Sequence, residues 1–359
     1  MNAERLHAIM ISLHQEITKS NTVGKMQELI AALQSVVNQP HPSHQQALSN
    51  SLKAIYAATT DSASDAYSPA WRQILSELGG GELFGSSLKS EIENIFKRNQ
   101  ITPAVALEEL QQLHKKLQAF KAALDQGIAS LRHFKIGDER LAAGQCEIGI
   151  LIPRAAVENS LVGFSEELKE LSFVLQVFSE VATGKRDELS IKTISSSDLL
   201  VYLNAAAPYA ACVAIAIERV VALYKQLLEI KKLHKELLGQ GVPTTQVLGI
   251  EEHANQLMAT GIEKVAADII EQFYKDRDKG RKNELMNGVR ISLNKIANRI
   301  DKGFNLEVRV EPLAKNETPT QEDVELEKAI EIIRSATANM QFMKIEGQPI
   351  LKLPEGKQK

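Results

Sequence analysis

Apolar residues recur at helical spacing through most of the chain and switch to strand-like alternation only in a few short stretches. Residues 3–38 read as two amphipathic helices separated near Ser20–Gly24, followed by a loop at Gln39–Ser43 and a helix from about Gln45 to Ala58. The run TTDSASDAYSPA (59–70) is rich in Ser, Asp and Ala and short of core residues, so it reads as a loop or mobile connection. Helices are expected on both sides of the GGGELFG turn (79–85), which makes 1–101 an all-helical N-terminal module.

Thr102-Pro103 supplies an N-cap and a proline for the first helical position of a helix running to about Phe134. Leu110, Leu117, Leu124 and Leu131 recur every seven residues, with Leu113 and Phe120 interleaved and Gly127 interrupting the seam beside Ile128. Segment 102–145 is therefore a coiled-coil helix. Cys146–Ile152 (CEIGILI) reads as a strand, about Ser165–Ala182 as a helix and Leu189–Ile194 as a second strand. That succession predicts a parallel βαβ unit with a right-handed crossover over 146–204. Leu306, Val308 and Val310 alternate with Glu307, Arg309 and Glu311, the pattern of a half-exposed edge strand. Between them, a helix from about Pro208 to Leu238 places Val213, Ile217, Val220, Tyr224, Leu227 and His234 on a second seam, with Lys231 as the exception. The two seam helices have equal lengths of about 46 Å. They are expected to pair as an antiparallel hairpin carrying the α/β unit, or as a parallel pair between two chains.

Further helices are expected over about 249–274 and 283–301, completing a segment 205–303. Segment 304–359 would hold the edge strand, an acidic helix beginning near Thr320 and a tail, 347–359, with little to bury and expected to be mobile. The fold class is thus mainly α with a small α/β element, the long helices forming a coiled-coil hairpin around a βαβ unit with a third short strand.

Composition narrows this further. Aromatics are 5% of the chain, so the core is built from Leu, Ile, Val and Ala, and an all-β sandwich loses ground. With 44% hydrophobic and 24% charged residues, wholesale disorder and a membrane-embedded body are both excluded, and 359 residues suggest about two domains. No residue from Leu199 to Ile217 is charged, the length of a marginal membrane span. Asn204, Pro208 and the many alanines within it favour a strand end followed by a buried helix. Glu4, His7, His14 and Glu16 interrupt any apolar leader at the start of the sequence. Cys146 and Cys212 fall in apolar surroundings and make no disulfide framework, so a cytoplasmic location is expected.

The net charge of −3 excludes a chain-wide polycation and hides an uneven distribution. Lys275, Arg277, Lys279, Arg281, Lys282, Arg290, Lys295, Arg299 and Lys302 face only Asp276, Asp278, Glu284 and Asp301 in the same stretch. Such a basic surface suits phosphates or an acidic partner, and nucleic acid bound there would be released steeply by salt. Tyr274 lies just outside it, so base stacking is not indicated. Glu317, Glu322, Asp323, Glu325, Glu327 and Glu331, relieved by Lys315 and Lys328, either fold back over this segment or project toward another protein.

A parallel sheet gathers ligands past the carboxyl ends of its strands. Arg154 follows the first strand there, and Ser195, Ser196, Ser197 and Asp198 follow the second, as a candidate anion site. The plainer reading has Ser195 or Ser197 capping the next helix and Asp198 complementing its dipole. In GGGELFGSS, Ser86 stands where a phosphate loop needs Lys, and no strand precedes it, so an inter-helix turn is expected. His41 and His44 flank a proline without Cys or carboxylate nearby, and His7 and His14 share a helix face without a ligand set, so no metal is expected. His234, on a seam, is a protonatable group that can bias pairing, or a side chain snorkelling at a helix end. The sequence holds no Gly-x-Ser-x-Gly, His-Glu-x-x-His, Cys-x-x-Cys or Gly-x-Gly-x-x-Gly motif.

The leading expectation is a non-enzymatic helical interaction or scaffold protein, meeting another protein or a second copy through its seams, with no membrane role. The alternatives are a nucleic-acid-associated protein using 275–302, and an enzyme or small-anion sensor at the 153–154/195–198 loops.

Overall fold

Pro42, Pro69 and Pro103 each stand in the first turn of a helix, where a missing N–H leaves no helical bond unmade. The computed structural model describes residues 3–60, 62–195, 199–243, 246–275, 278–313 and 319–356. Among them are eleven α-helices and four strands, divided into two compact units, Met1–Arg140 and Leu141–Lys359.

Unit 1 consists of α1 (Ala3–Ser20), α2 (Thr22–Asn38), α3 (Pro42–Ala58), α4 (Pro69–Glu77), α5 (Gly85–Arg98) and α6 (Pro103–His133). Helix α6 packs against α1, α2 and α5, and α2 against α3. The leucine seam of α6 (Leu110, Leu113, Leu117, Leu124) is buried with Ile9, Leu13 and Ile17 of α1 and Met26, Leu29 and Leu33 of α2. Each such side chain, fully buried, contributes about 2 kcal/mol. Gly127, which interrupts the heptads, is where Met10 enters: a Cβ there would collide with the Met10 Cε. Thr102 occupies the N-cap position of α6 without a side-chain capping bond; its hydroxyl faces Asn99 Oδ1 at 3.4 Å instead.

The Ser/Asp/Ala-rich stretch of unit 1 is pinned, contrary to its composition. Its 3-10 turn, Ala63–Ala66, sits over the Glu16 carboxylate, which accepts from the Ser62 hydroxyl, from Ser64 N at 2.9 Å and from Ser64 Oγ at 3.2 Å. Asp65 accepts from Ser86 N at 3.0 Å and from Ser86 Oγ at 2.7 Å, and the Tyr67 hydroxyl donates to Ser12 Oγ at 2.7 Å.

Unit 2 runs β1 (Cys146–Ile152), α7 (Leu161–Thr183), β2 (Ile191–Ser195), β3 (Leu199–Ala205), α8 (Ala207–Gly239), α9 (Leu248–Phe273), α10 (Lys279–Asp301), β4 (Asn305–Val310) and α11 (Gln321–Asn339). The strand order is β2-β3-β1-β4, and every pairing is antiparallel, from Cys146↔Ala205 to Ile152↔Leu199 between β1 and β3 and from Cys146↔Val310 to Leu151↔Asn305 between β1 and β4. This corrects the parallel βαβ expectation. Residues 199–205 form a fourth strand that folds back from β2 and takes the place beside β1, so α7 is not a crossover between parallel neighbours. β4 does lie at a sheet edge, but Glu307 and Val308 are both buried.

One sheet face (Ile148, Ile150, Ile152, Val201, Leu203, Leu306, Val308) joins a core shared with α7 to α11. Helix α8 packs against α7, α9, α10, α11, β1 and β4. It is long and apolar enough to cross a membrane, yet 67% of its most apolar window is buried. Its seam (Val213, Ile217, Val220, Tyr224, Leu227) fills this core, as that of α6 fills the core of unit 1. Two separate packings therefore stand where the coiled-coil hairpin was expected. The tail, too, is placed: Ile350, Leu351 and Leu353 are buried in the core of unit 2, correcting the mobile expectation for 347–356; residues 357–359 lie outside the described residues.

Candidate functional site

Helix α10 carries Asn294, Asn298 and Asp301 at i, i+4 and i+7, one face of a helix. Asn255 comes from α9, and Tyr224 and Lys231 from α8. Along these side chains runs the segment after α11, without regular secondary structure. The Asn255 amide bridges Leu351: its Oδ1 accepts from Lys352 N at 2.7 Å and its Nδ2 donates to Ile350 O at 3.0 Å. Asn298 does the same for a single residue, accepting from Leu353 N at 3.1 Å and donating to Leu353 O at 3.0 Å. Asn294 Nδ2 donates to Pro354 O at 2.8 Å.

Asp301 closes the row. Its Oδ2 accepts from Ile350 N at 2.6 Å and Leu351 N at 2.7 Å, while its Oδ1 accepts from Lys231 Nζ and from the Tyr224 hydroxyl, both at 2.6 Å. The Asp301 side chain is 0% and that of Lys231 5% exposed. A buried ion pair is tolerated only when its remaining bonding capacity is filled, and four donors fill this carboxylate. Burial, and then the Asp301 carboxylate, push the Tyr224 phenol well above its ordinary pKa, so it remains a donor. At the rim, Glu251 faces His234 Nε2 at 3.3 Å and accepts from Lys352 Nζ at 3.1 Å. His234 thus lies buried within unit 2 beside a carboxylate, not at a chain–chain seam. The groove addresses the main chain of this segment through side-chain amides and one carboxylate.

The residues singled out from sequence are placed elsewhere. Arg154 opens the 3-10 turn Arg154–Val157 and donates to Asn159 Oδ1 at 3.2 Å. Ser195 ends β2 and is buried, while Ser196, Ser197 and Asp198 lie outside the described residues. The element that follows them is β3, a strand, so the expected helix cap and dipole complement do not apply. The register Ile152↔Leu199 does bring the end of β1 and the start of β3 together at one end of the sheet, by an antiparallel route. The nearby cleft of about 630 Å³ is lined by Glu158, Glu166, Glu167 and Glu170 against Lys169, a poor setting for an anion.

Four of the nine basic residues of the segment are paired within unit 2. Arg281 pairs with Glu180 and Glu284, Arg290 with Glu263, Lys295 with Glu170, and Arg299 with Glu167 and Glu355. Lys275, Lys282 and Lys302 are exposed. Arg277 lies outside the described residues, and Lys279 begins α10. The covering acids come mainly from α7; α11 instead packs on α8 and β4, with Glu322, Glu325, Glu327 and Glu331 exposed. Glu317 and Lys315 lie outside the described residues.

The remaining candidates are structural. At the GGGELFG turn, the Asp65 carboxylate occupies the start of α5 where a phosphate would sit, and Gly85, at φ +51°, leaves room for it. His7 is buried with its Nδ1 2.9 Å from Ile136 O and 3.0 Å from Gly137 O, and His41 caps α3. Among the described residues, no group of three or more His, Cys, Asp or Glu side chains is arranged to hold a metal. Cys146 and Cys212 are buried free thiols, and burial pushes Cys146 up to about 12.

The groove itself was not anticipated, though its signals are present: Lys231 as the one cation on an apolar seam, polar residues at i, i+4, i+7 in α10, and the short apolar run Ile350–Leu353 near the end of the sequence. No known family model, curated protein or solved structure matches the chain.

Proposed function

We propose that this is a non-enzymatic interaction protein of the cytoplasm, in which unit 2 holds an extended peptide segment along α9 and α10. The observation that carries this reading is that Asn255, Asn298 and Asp301 bond the main chain of residues 350–353. Recognition through main-chain groups gives affinity without dictating sequence, and apolar pockets between them supply selectivity. The paired state of Arg281, Arg290, Lys295 and Arg299 makes a protein partner a better fit than nucleic acid.

The test is a displayed peptide library panned against the full chain carrying Ile350→Asp and Leu353→Asp, which empties the groove. Enrichment of extended peptides, lost when Asn298→Ala is added, is the expected result. A variant with unchanged far-UV circular dichroism that enriches nothing, or enriches peptides indifferent to Asn298, would overturn the reading. Salt-sensitive retention of the intact chain on DNA or RNA would move the assignment to nucleic acid.

A further inference from the structure

We infer that residues 348–356 are a tethered ligand: the groove accepts, from another molecule, an extended peptide with two adjacent aliphatic residues, one free position, an aliphatic residue, a proline and an acid, and the chain's own tail competes for that place. This rests on the peptide-holding reading above and gives the class of its ligand.

The side chains define the class. Ile350, Leu351 and Leu353 are buried, whereas Lys352 and Pro354 are exposed. Position 352 is held mainly through its N–H, by Asn255, so its side chain is free to vary. At position 354 the groove uses only the carbonyl, through Asn294, so a residue without an N–H loses nothing. Proline there also biases Leu353 toward extended backbone, the conformation in which Asn298 meets both of its main-chain groups. The Glu355 carboxylate accepts from Asn298 Nδ2 at 2.8 Å and lies 3.8 Å from Arg299, which selects an acid.

The attachment has the form of a tether. Asn305 accepts from Met343 N at 2.8 Å and donates to Met343 O at 3.3 Å, fixing the chain ahead of the groove. Between that anchor and Ile350, Ile345 is half-buried against the core of unit 2, whereas Lys344, Glu346, Gly347, Gln348 and Pro349 are exposed, with Gly347 at φ +83° and Glu346 held by a surface pair with Lys235. No helix or strand has to break for 348–356 to leave. An empty groove would strand the buried Asp301 Oδ2 and the Asn255 and Asn298 carbonyls without donors, so some occupant is required. A short tether gives the tail an effective concentration of about millimolar, so an incoming peptide binds the intact chain far more weakly than a chain whose tail has been released.

The experiment uses the full chain with a protease site inserted between Glu346 and Gly347, cut after folding so that the groove forms with its tail in place. Fluorescent peptide 348–356 is then titrated by anisotropy. The cut chain is expected to take up the peptide saturably by exchange, at least tenfold more tightly than the uncut chain. Leu353→Asp in the peptide should abolish uptake, Lys352→Ala should weaken it less than threefold, and Asn298→Ala in the chain should weaken it strongly. Equal binding by cut and uncut chains overturns the inference, as does a cut chain that keeps its fragment and admits no peptide. If library peptides still enter the groove of the Ile350→Asp/Leu353→Asp chain, only the tethered-ligand inference falls; if they do not, the peptide-holding reading falls with it.

Discussion

Two segments, 62–68 of unit 1 and 347–356 of unit 2, both read from sequence as having little to bury and are held in opposite ways. In unit 1 the loop supplies its own side chains: the Ser62 and Ser64 hydroxyls reach Glu16, and Asp65 reaches the first turn of α5. In unit 2 the helices supply the side chains and the tail gives mostly backbone. A loop fastened at both ends by its own side chains is specific to its sequence and cannot be exchanged. A segment fastened mainly through its main chain can be replaced by any segment of similar apolar spacing. That difference makes the unit 1 loop part of the fold and the unit 2 tail an occupant of a site.

The largest expected effect tests the stronger anchor. Asp301→Ala leaves the Lys231 ammonium buried and removes the acceptor for Ile350 N and Leu351 N, which should cost unit 2 about 3–5 kcal/mol. Trp71, the only tryptophan of the chain, lies in unit 1, so its fluorescence follows that unit while far-UV circular dichroism follows both. In a urea titration the circular dichroism transition should move to lower urea and that of Trp71 should stay. Coincident movement would break the comparison by showing that the two units unfold together, and a loss under about 1 kcal/mol would remove Asp301 as the anchor.

Asp65→Ala is the counterpart in unit 1. It removes the acceptor for Ser86 N and Oγ at the start of α5, worth about 0.5–2 kcal/mol for a lost N-terminal cap. The cost should be smaller than at Asp301 because Asp65 and Ser86 are exposed and water replaces part of the bond. The Trp71 transition is the readout. A loss as large as that of Asp301→Ala would put the two anchors on the same footing.

Local signals account for what the sequence reveals here. Pro103 and the leucine repeat place α6, and the Ala-rich run after Pro208 places α8, because proline geometry and helical periodicity act within a few residues. Leu199–Ala205 and the start of α8 are one uncharged stretch, which reads as a strand end leading into a helix and hides β3 as a separate strand of the sheet. With no further strand between β2 and α8, strand–helix–strand reads as a parallel pair, whereas β3 takes the place beside β1 and pairs antiparallel. Charge misleads for a related reason: Arg290, Lys295 and Arg299 read as a basic surface because their partners on α7 and α9 are distant in sequence, and among them Asp301 reads only as a counter-charge while Asn294 and Asn298 carry no local signal. The tail meets residues 49 to 97 positions away at Asp301 and Asn255, beyond the range of any local pattern.

The smallest effect separates the two anchoring chemistries by pH. Burial raises the Glu16 carboxyl above its ordinary value of 4.5, against the lowering by hydrogen bonds from Ser62 and Ser64, and the Asp65 charge adds to the rise. The folded state therefore binds this proton more readily than the unfolded state. The stability Glu16 contributes is fully present below about 4.5 and is lost as pH rises through the folded value. Glu16→Gln keeps an acceptor for Ser64 N but does not titrate, so its stability relative to wild type should increase between pH 4.5 and pH 7, by less than the Asp65→Ala effect. Urea titrations followed by Trp71 at the two pH values measure this, and a difference that shrinks as pH rises would contradict it. Asn255→Ala should give a unit 2 stability loss that is the same at both pH values, because a side-chain amide has no proton to gain in this range.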